Sequence, residues 1–391
     1  MTAPKSRRIL FIINSLVGGG AERVMATLLG HSAEEGRAYD IHLALLDEEK
    51  TAYAVPEWVT VHRLDCGFGL VKSILRVSAL VKRLNPAITL SFLTRANIAN
   101  VIACRLHGTI AVISERVDTS VHLGDKIGGR IKKALVRLSY NRAHRIIAVS
   151  AGVAGDLQRN FGVSPDKIVV IANPVDARTI RQRGQETPAI DLPRPFTAAV
   201  GRLVENKNFA LLIEAFAQSG APGHLVVLGE GPLRPALMEQ ARRLGIADRV
   251  HLPGFSANPF AITRNAEQFV LPSNAEGFPN GLVEAMALGL PVIATNCPSG
   301  PAEILAGQPR EAVTEYTEAE YGILVRPNSV PDMVAALRAM QDPELNRRYR
   351  ARAVERADAY SPAEAKDRYW AVLMAEIQRA ALPGAAISGS R

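Results

Sequence analysis

"EQFVLPSNAEGFPNGLVEAMALGLPVIAT", Glu267 to Thr295, is the stretch whose reading decides the fold. "EQFVLP" reads as a strand closed by a proline, and Ser273 to Pro279 as a loop. Asn280 to Leu288 reads as a helix, with Gly289 just past its end and Pro291 beyond. "PVIAT" then returns as a strand. Strand, loop, helix and strand in that order form the repeating unit of a parallel sheet. From Ser273 to Thr295 two carboxylates, Glu276 and Glu284, interrupt a segment that is otherwise nearly all apolar or helix punctuation. A carboxylate among Leu282, Val283, Ala285 and Met286 costs several kcal/mol if buried without donors, so it needs partners or an open edge.

The same alternation runs through the chain. "RILFII", "IHLALL", "VTVHRL", "AITLSF", "TIAVIS", "RIIAVS" and "KIVVIA" come first, and "FTAAVG", "HLVVLG", "RVHLPG" and "GILV" come later. Between them "ARTIRQRGQETPAIDLPRP" is polar and punctuated by proline. The expected organisation is therefore a Rossmann-like domain over 1–180, a linker over 181–195 and a second Rossmann-like domain over 196–360. A terminal helix follows over 361–382, with Tyr369, Trp370, Leu373 and Ile377 on one face, and a disordered tail over 383–391. Two doubly wound domains would face each other across a cleft walled by the carboxyl ends of both sheets.

A length of 391 residues with 48% hydrophobic and 21% charged residues fits a two-domain globular chain. Cys66, Cys104 and Cys297 are odd in number and show no C-x-x-C spacing, which suits a reducing cytosol. "ILFII" is too short for a secretory signal, and no run is long enough for a membrane span. Residues 1–190 hold 26 Lys and Arg against 16 Asp and Glu, whereas the remainder holds 20 against 22. The basic half is thus expected to meet something anionic.

Two cations mark a second constellation, "VGRLVENKNFALL". Arg202 leaves the carboxyl end of a strand and Lys207 falls in the first turn beyond it, a fork and a point charge suited to pyrophosphate. Solvated surface cations are the plainer reading of either alone. "LGEGPLR" offers Gly229 and Gly231 in a tight turn where backbone can approach a ligand. "NSLVGGGAERV" offers Gly18 and Gly19 with amide groups for a phosphate or sugar, without the G-x-G-x-x-G spacing of a dinucleotide site. Hydroxyls of a sugar or ribose would suit Glu276 and Glu284 as donors.

Taken together, "GGGAERV", "GRLVENKN", "GEGP" and the E-x7-E element of Glu276 and Glu284 resemble the retaining glycosyltransferases of family 4. These have the GT-B fold of two facing Rossmann-like domains. The resemblance implies that Arg202 and Lys207 hold the donor diphosphate, Glu284 the ribose and Glu276 the transferred sugar, with backbone at Phe278 and Asn280 also touching the donor. It implies a UDP-sugar as donor, front-face attack with retention, and neither metal nor other cofactor. One departure stands out: where many relatives carry a histidine after the strand equivalent to "TIAVIS", this chain has Glu115 and Arg116, as in the subset acting on polyprenyl-diphosphate-linked sugars. An acceptor-side role for these two stands beside a plain Glu115/Arg116 ion pair.

"LVKSILRVSALVKRL", Leu70 to Leu84, has helical period, with Lys72, Arg76 and Arg83 within about 40° of one another at 100° per residue. Leu70, Ile74, Val77, Val81 and Leu84 fall opposite. "KIGGRIKKALVRLSYNRAHR" holds seven Lys or Arg and no acid, with Ile127, Ile131, Leu135 and Leu138 as its expected packing face. Both suit an anionic membrane surface and a lipid diphosphate, or a solvated basic face. Nucleic acid is not expected, since no aromatic interleaving accompanies the charges. The overall expectation is a glycosyltransferase peripheral on the cytoplasmic face of a membrane, acting on a lipid-linked or surface glycan. The alternatives are a nucleotide-sugar epimerase of the same fold and a nucleotide-sugar-binding protein without transfer activity.

Overall fold

The computed structural model describes residues 7–123 and 127–382. The chain divides into two compact units, one running to Pro174 and resuming at Pro362, the other spanning Val175–Ser361.

The first unit is built on seven strands: β1 (Arg8–Ile13), β2 (Asp40–Leu45), β3 (Thr60–Arg63), β4 (Ile88–Phe92), β5 (Ile110–Glu115), β6 (Arg145–Ala148) and β7 (Ile168–Val170). They lie in the order β3-β2-β1-β4-β5-β6-β7, every neighbouring pair parallel. Ile9 to Ile13 are all fully buried. A parallel sheet carries helices on both faces, so its central strands are continuous apolar runs and not alternating ones.

The second unit repeats the plan with β8 (Phe196–Val200), β9 (His224–Leu228), β10 (Val250–Gly254), β11 (Gln268–Leu271), β12 (Val292–Thr295), β13 (Thr317–Glu318) and β14 (Ile323–Val325), ordered β10-β9-β8-β11-β12-β14-β13. The short β13 runs antiparallel to β14 and escaped the sequence reading, because two residues leave no periodicity to detect. In each sheet the order reverses once, between β1 and β4 and between β8 and β11. Ligands of open parallel sheets sit outside the carboxyl ends of the strands at such a point.

Two boundaries differ from expectation. The polar stretch expected as a linker over 181–195 is helical from Ala177 to Gly184 and belongs to the second unit. Asp176 caps that helix by accepting from the Thr179 amide at 3.0 Å, while Ala177 and Ile180 are buried. The buried positions Ala177, Ile180 and Gly184 share one face, but two of them are small and the rest of the segment is polar, so it reads as a linker. The terminal helix, Pro362–Arg379, belongs to the core of the first unit: Tyr369, Trp370 and Leu373 pack with Phe11, Leu43 and Phe92. Trp370 Nε1 donates to Ser32 Oγ at 2.8 Å, and the buried Glu376 pairs with Arg145 at 2.7 Å. The expected tail over 383–391 lies outside the described residues.

Helix Leu70–Leu84 buries Val77, Leu80, Val81 and Leu84, and exposes Lys72, Arg76 and Arg83, as its period predicts. Helix Ile127–Tyr140 departs from its expected face. It buries Val136, Ser139 and Tyr140, whereas Ile131 and Leu138 stand 59% and 58% exposed. Its basic residues had suggested one polar face, but apolar and basic side chains share the outer side. Lys126 and the Ile127 side chain lie outside the described residues.

Candidate active site

The site in the second unit is assembled from three loops at the carboxyl end of its sheet. After β8 the chain passes Gly201 and Arg202, makes a tight turn over Glu205–Lys207, and enters helix Phe209–Ser219 through Asn208. Asn208 adopts a left-handed conformation at φ +48° and caps that helix, accepting from the Leu211 amide at 3.4 Å. Asparagine tolerates this region better than most residues because its short side chain bonds locally.

The loop after β11 is laced to this turn. The Asn274 amide donates to Asn206 O at 2.8 Å, Asn206 Nδ2 to Ala275 O at 2.9 Å, and Asn208 Nδ2 to Asn274 Oδ1 at 3.0 Å. This lacing sets Lys207 Nζ 2.6 Å from Glu276 Oε1, which also accepts from Ser273 Oγ at 2.6 Å. The third loop, after β12, holds the backbone of the same residue: the Glu276 amide donates to Pro298 O at 3.3 Å. Gly300 (φ +104°) has no room for a side chain, since a Cβ there would lie 2.4 Å from Pro279 Cδ. This loop, Asn296 to Gly300, was missed in the sequence. Its signal, a Gly-Pro pair after a strand, is common to many turns.

Glu284 lies in helix Asn280–Ala287, half-buried, while its neighbours Leu282, Val283, Ala285 and Met286 are buried. It therefore sits at the edge of the apolar segment and not within it. Arg202 is exposed at the end of β8. Phe278 turns its ring edge-on to Tyr360, with 5.3 Å between ring centroids, and its carbonyl accepts from the Asn280 amide at 2.9 Å. Cys297 is buried close by; burial, and after it the charge of Glu276, push its thiol far above the ordinary range, so it is no nucleophile at neutral pH. Among the described residues no group of three or more His, Cys, Asp and Glu gathers as a metal site would require.

The glycines of "GEGP" have a packing duty the sequence reading did not assign. At Gly229 (φ +140°) a Cβ would lie 2.0 Å from Gly201 O, and at Gly231 it would lie 2.4 Å from Leu203 O. The turn after β9 presses directly on the turn that carries Arg202, with Leu203 N donating to Glu230 O at 2.8 Å. A cavity of about 530 Å³ also exists in this unit, lined by Phe196, Thr197, Gln268, Met340 and Arg347. It lies at the amino ends of β8 and β11, away from every residue named above, where parallel sheets do not present ligand loops.

In the first unit, Gly18 (φ +123°) and Gly19 follow β1 and lead into helix Gly20–Gly30. The Glu22 carboxylate lies over Gly19, so close that a Cβ there would fall 2.2 Å from its Oε2. Burial raises the Glu22 pKa above the usual carboxylate value, against the lowering influence of its own backbone hydrogen bond and of Arg116. An acid in that place favours hydroxyl groups over phosphate beside these glycines.

Glu115 and Arg116 end β5 deep in the protein, and they do not pair with each other's charged ends. Glu115 is fully buried, takes hydrogen bonds from Tyr140 Oη and, at 3.0 Å, from the Arg116 amide, and has its pKa raised by burial. The Arg116 guanidinium turns the other way. It donates to Tyr369 Oη at 2.6 Å and to Asn173, and lies over the Phe92 ring at 4.7 Å. The expected ion pair is thus replaced by two separate polar clusters. Tyr140, Asn173 and Tyr369 were not foreseen, because their partners are 25, 57 and 253 residues distant. Lys72, Arg76 and Arg83 all lie on the exposed face of helix Leu70–Leu84 in this same unit.

Comparison with known proteins places this geometry. Residues 18–179 match the model for Glycosyltransferase Family 4, and residues 194–342 match that for Glycosyl transferases group 1. The chain belongs to the family 4 glycosyltransferases, and its two Rossmann-like units are those of the GT-B fold. It is 32% identical over 368 residues, 90% of this chain and 96% of the other, to N-acetylgalactosamine-N,N'-diacetylbacillosaminyl-diphospho-undecaprenol 4-alpha-N-acetylgalactosaminyltransferase of Campylobacter jejuni. It is 31% identical over 180 residues, 44% of this chain and 48% of the other, to the lipopolysaccharide 1,6-galactosyltransferase of Salmonella typhimurium. Among solved structures it resembles Anabaena HepE in complex with UDP, with a TM-score of 0.73 at 18% identity over 94% of this chain and all of that one. The lipopolysaccharide outer core galactosyltransferase WaaB also scores 0.73, at 20% identity over 94% of this chain and 99% of that one. The Campylobacter and Salmonella relatives are both named transferases, which leaves the epimerase alternative without support.

Proposed function

We propose that this glycosyltransferase moves a sugar from a UDP-sugar to a polyprenyl-diphosphate-linked or surface glycan, with retention of anomeric configuration, at the cytoplasmic face of a membrane. The observation that carries the reading is the Lys207–Glu276 pair, 2.6 Å apart at the switch point of the second sheet, beside the exposed Arg202. A nucleotide sugar brings both kinds of partner these groups seek. Its diphosphate suits Arg202 and Lys207, its sugar hydroxyls suit Glu276, and its ribose suits Glu284. The complex of HepE with UDP and the diphospho-undecaprenol named for the Campylobacter relative support the donor and acceptor classes of this reading.

In the reaction the bond from the sugar's anomeric carbon to the β-phosphate oxygen breaks, and a bond to the acceptor oxygen forms on the same face. The acceptor proton passes to the departing phosphate. Lys207, held by Glu276, and the exposed Arg202 meet the charge that develops there, each worth a few kcal/mol of barrier, and the proposed chemistry uses no metal. Gly18 and Gly19 contribute backbone amides, and Gly229 and Gly231 bring the next turn against the diphosphate loop. Phe278 and Asn280 offer backbone to the donor. On the acceptor side the assigned residues are Lys72, Arg76 and Arg83, whose charge suits a diphosphate, with Glu115 and Arg116 buried in the same unit.

The test is incubation with UDP-sugars and a short-chain polyprenyl-diphosphate sugar, with and without a chelator, followed by NMR of the product. The reading expects an α-linked product from an α-linked donor at equal rates in both samples. An inverted product removes retention from the reading, and a chelator-sensitive rate removes metal independence. Donor binding without any transfer would favour a binding protein instead.

A further inference from the structure

The chain crosses from β3 to β4, from β4 to β5 and from β5 to β6 in one direction along the first sheet. Right-handed crossovers therefore place helices Leu70–Leu84, Thr94–His107 and Ile127–Tyr140 on the same face. The middle helix packs against both others and is largely buried beneath them. Together the three carry ten Lys and Arg and no Asp or Glu.

Their outer side is also apolar where a soluble face would not be. Thirteen large apolar side chains are exposed among the described residues, and five of them lie on these three helices: Val71, Leu75, Leu106, Ile131 and Leu138, each 58–71% exposed. On helix Leu70–Leu84, Val71 and Leu75 lie beside Lys72 and Arg76, on the side opposite the core residues. Phe68, 69% exposed, stands just before that helix. It is held at φ +59° while its amide donates to the buried Asp47 at 2.9 Å, and Asp47 is itself tied to Arg95. A bulky residue in the left-handed region persists only where its surroundings fix it; here the backbone is tied to Asp47, and the largely exposed ring has the Arg95 guanidinium 5.9 Å from its centroid.

We propose that this face docks on an anionic lipid bilayer. Phe68, Val71, Leu75, Ile131 and Leu138 enter the boundary between headgroups and acyl chains, and the surrounding Lys and Arg meet the lipid phosphates. A solvated basic face accounts for the charges but not for the aliphatic side chains among them. Single-stranded nucleic acid would call for a row of stacking aromatics, and Phe68 is the one exposed aromatic ring on these helices or just before them among the described residues. The proposal rests on the reading above that the acceptor is carried by a membrane.

The experiment uses the full chain and its V71S/L75S/I131S/L138S variant, sedimented with phosphatidylcholine vesicles with and without phosphatidylglycerol at low and high salt. The wild type is expected to bind only the anionic vesicles, more weakly as salt rises. The variant should bind at least ~10-fold more weakly with an unchanged unfolding temperature. It should also transfer sugar normally to a short-chain, water-soluble acceptor and poorly to a vesicle-embedded one. Equal vesicle binding by the two proteins overturns the docking face. So does self-association that the variant abolishes while vesicle binding persists, which would assign the face to a second copy. Vesicle binding that depends on the four residues, in a protein that transfers sugar to no lipid diphosphate, leaves the docking face standing and removes the proposed acceptor.

Discussion

Lys207 Nζ and Glu276 Oε1 lie 2.6 Å apart, although their residues belong to loops that follow different strands of one sheet. Their side chains are 25% and 10% exposed, so the contact is neither a screened surface pair nor a buried one. Lys207→Ala leaves Glu276 with Ser273 as its remaining side-chain donor, at a cost of roughly 1–3 kcal/mol in stability. If Lys207 also meets the leaving diphosphate, turnover should fall by about 100-fold or more, well beyond that structural effect. Initial rates paired with urea denaturation separate the two.

Gly229 and Gly231 give a sharper structural expectation. Gly229→Ala forces a methyl to within 2.0 Å of Gly201 O at φ +140°, and should cost about 3 kcal/mol or more. Gly245→Ala serves as the comparison. Its φ is +70° but nothing lies within 4 Å of the added methyl, so about 1 kcal/mol is expected. Calorimetric unfolding of both variants checks the order.

Glu115 makes stability depend on pH in an unusual direction. Burial raises its pKa in the folded chain above the ordinary 4.5, so the folded state holds the proton after the unfolded state has released it. Its contribution is complete below about 4.5 and declines as pH rises from there towards the folded value. The wild type should therefore lose stability relative to Glu115→Gln as pH rises above 4.5. Unfolding free energies of the two proteins measured across that range, compared at each pH, test it; a difference that shrinks with rising pH contradicts it.

Tyr369 reaches Arg116 from the terminal helix, 253 residues away in sequence. Tyr369→Phe leaves a buried guanidinium without that acceptor and should destabilise the first unit by about 1–3 kcal/mol. Nucleotide affinity should be unchanged, since Arg202, Lys207, Glu276 and Glu284 all belong to the second unit. Denaturation curves beside UDP titrations would show the separation.

Local pattern explains what was legible. Thirteen of the fourteen strands stand out, the central ones because strands buried on both faces are short unbroken apolar runs, and the exposed edge strand β3 only through its β-branched residues; the helix from Asn280 is marked by its proline and glycine punctuation. Glu276 and Glu284 stood out because acids are rare in such company. What stayed hidden depends on distant neighbours. Nothing in "ISERV" foretells that Tyr140 and Tyr369 draw Glu115 and Arg116 apart. Nothing in "GEGP" reveals that its glycines yield to the backbone of Gly201 and Leu203. Helix Ile127–Tyr140 misled because period gathers Ile131, Leu135 and Leu138 on one face, whereas the protein packs Val136 and Tyr140 from the other side.

The most direct test of the account is the affinity of UDP and of a UDP-sugar, measured by calorimetric titration for the wild type and for Arg202→Ala, Lys207→Ala, Glu276→Ala and Glu284→Ala. Loss of Arg202, Lys207 or Glu284 should weaken both ligands, whereas loss of Glu276 should weaken the UDP-sugar and leave UDP nearly unchanged. UDP binding indifferent to both Arg202 and Lys207 would contradict the assignment of the diphosphate to this turn.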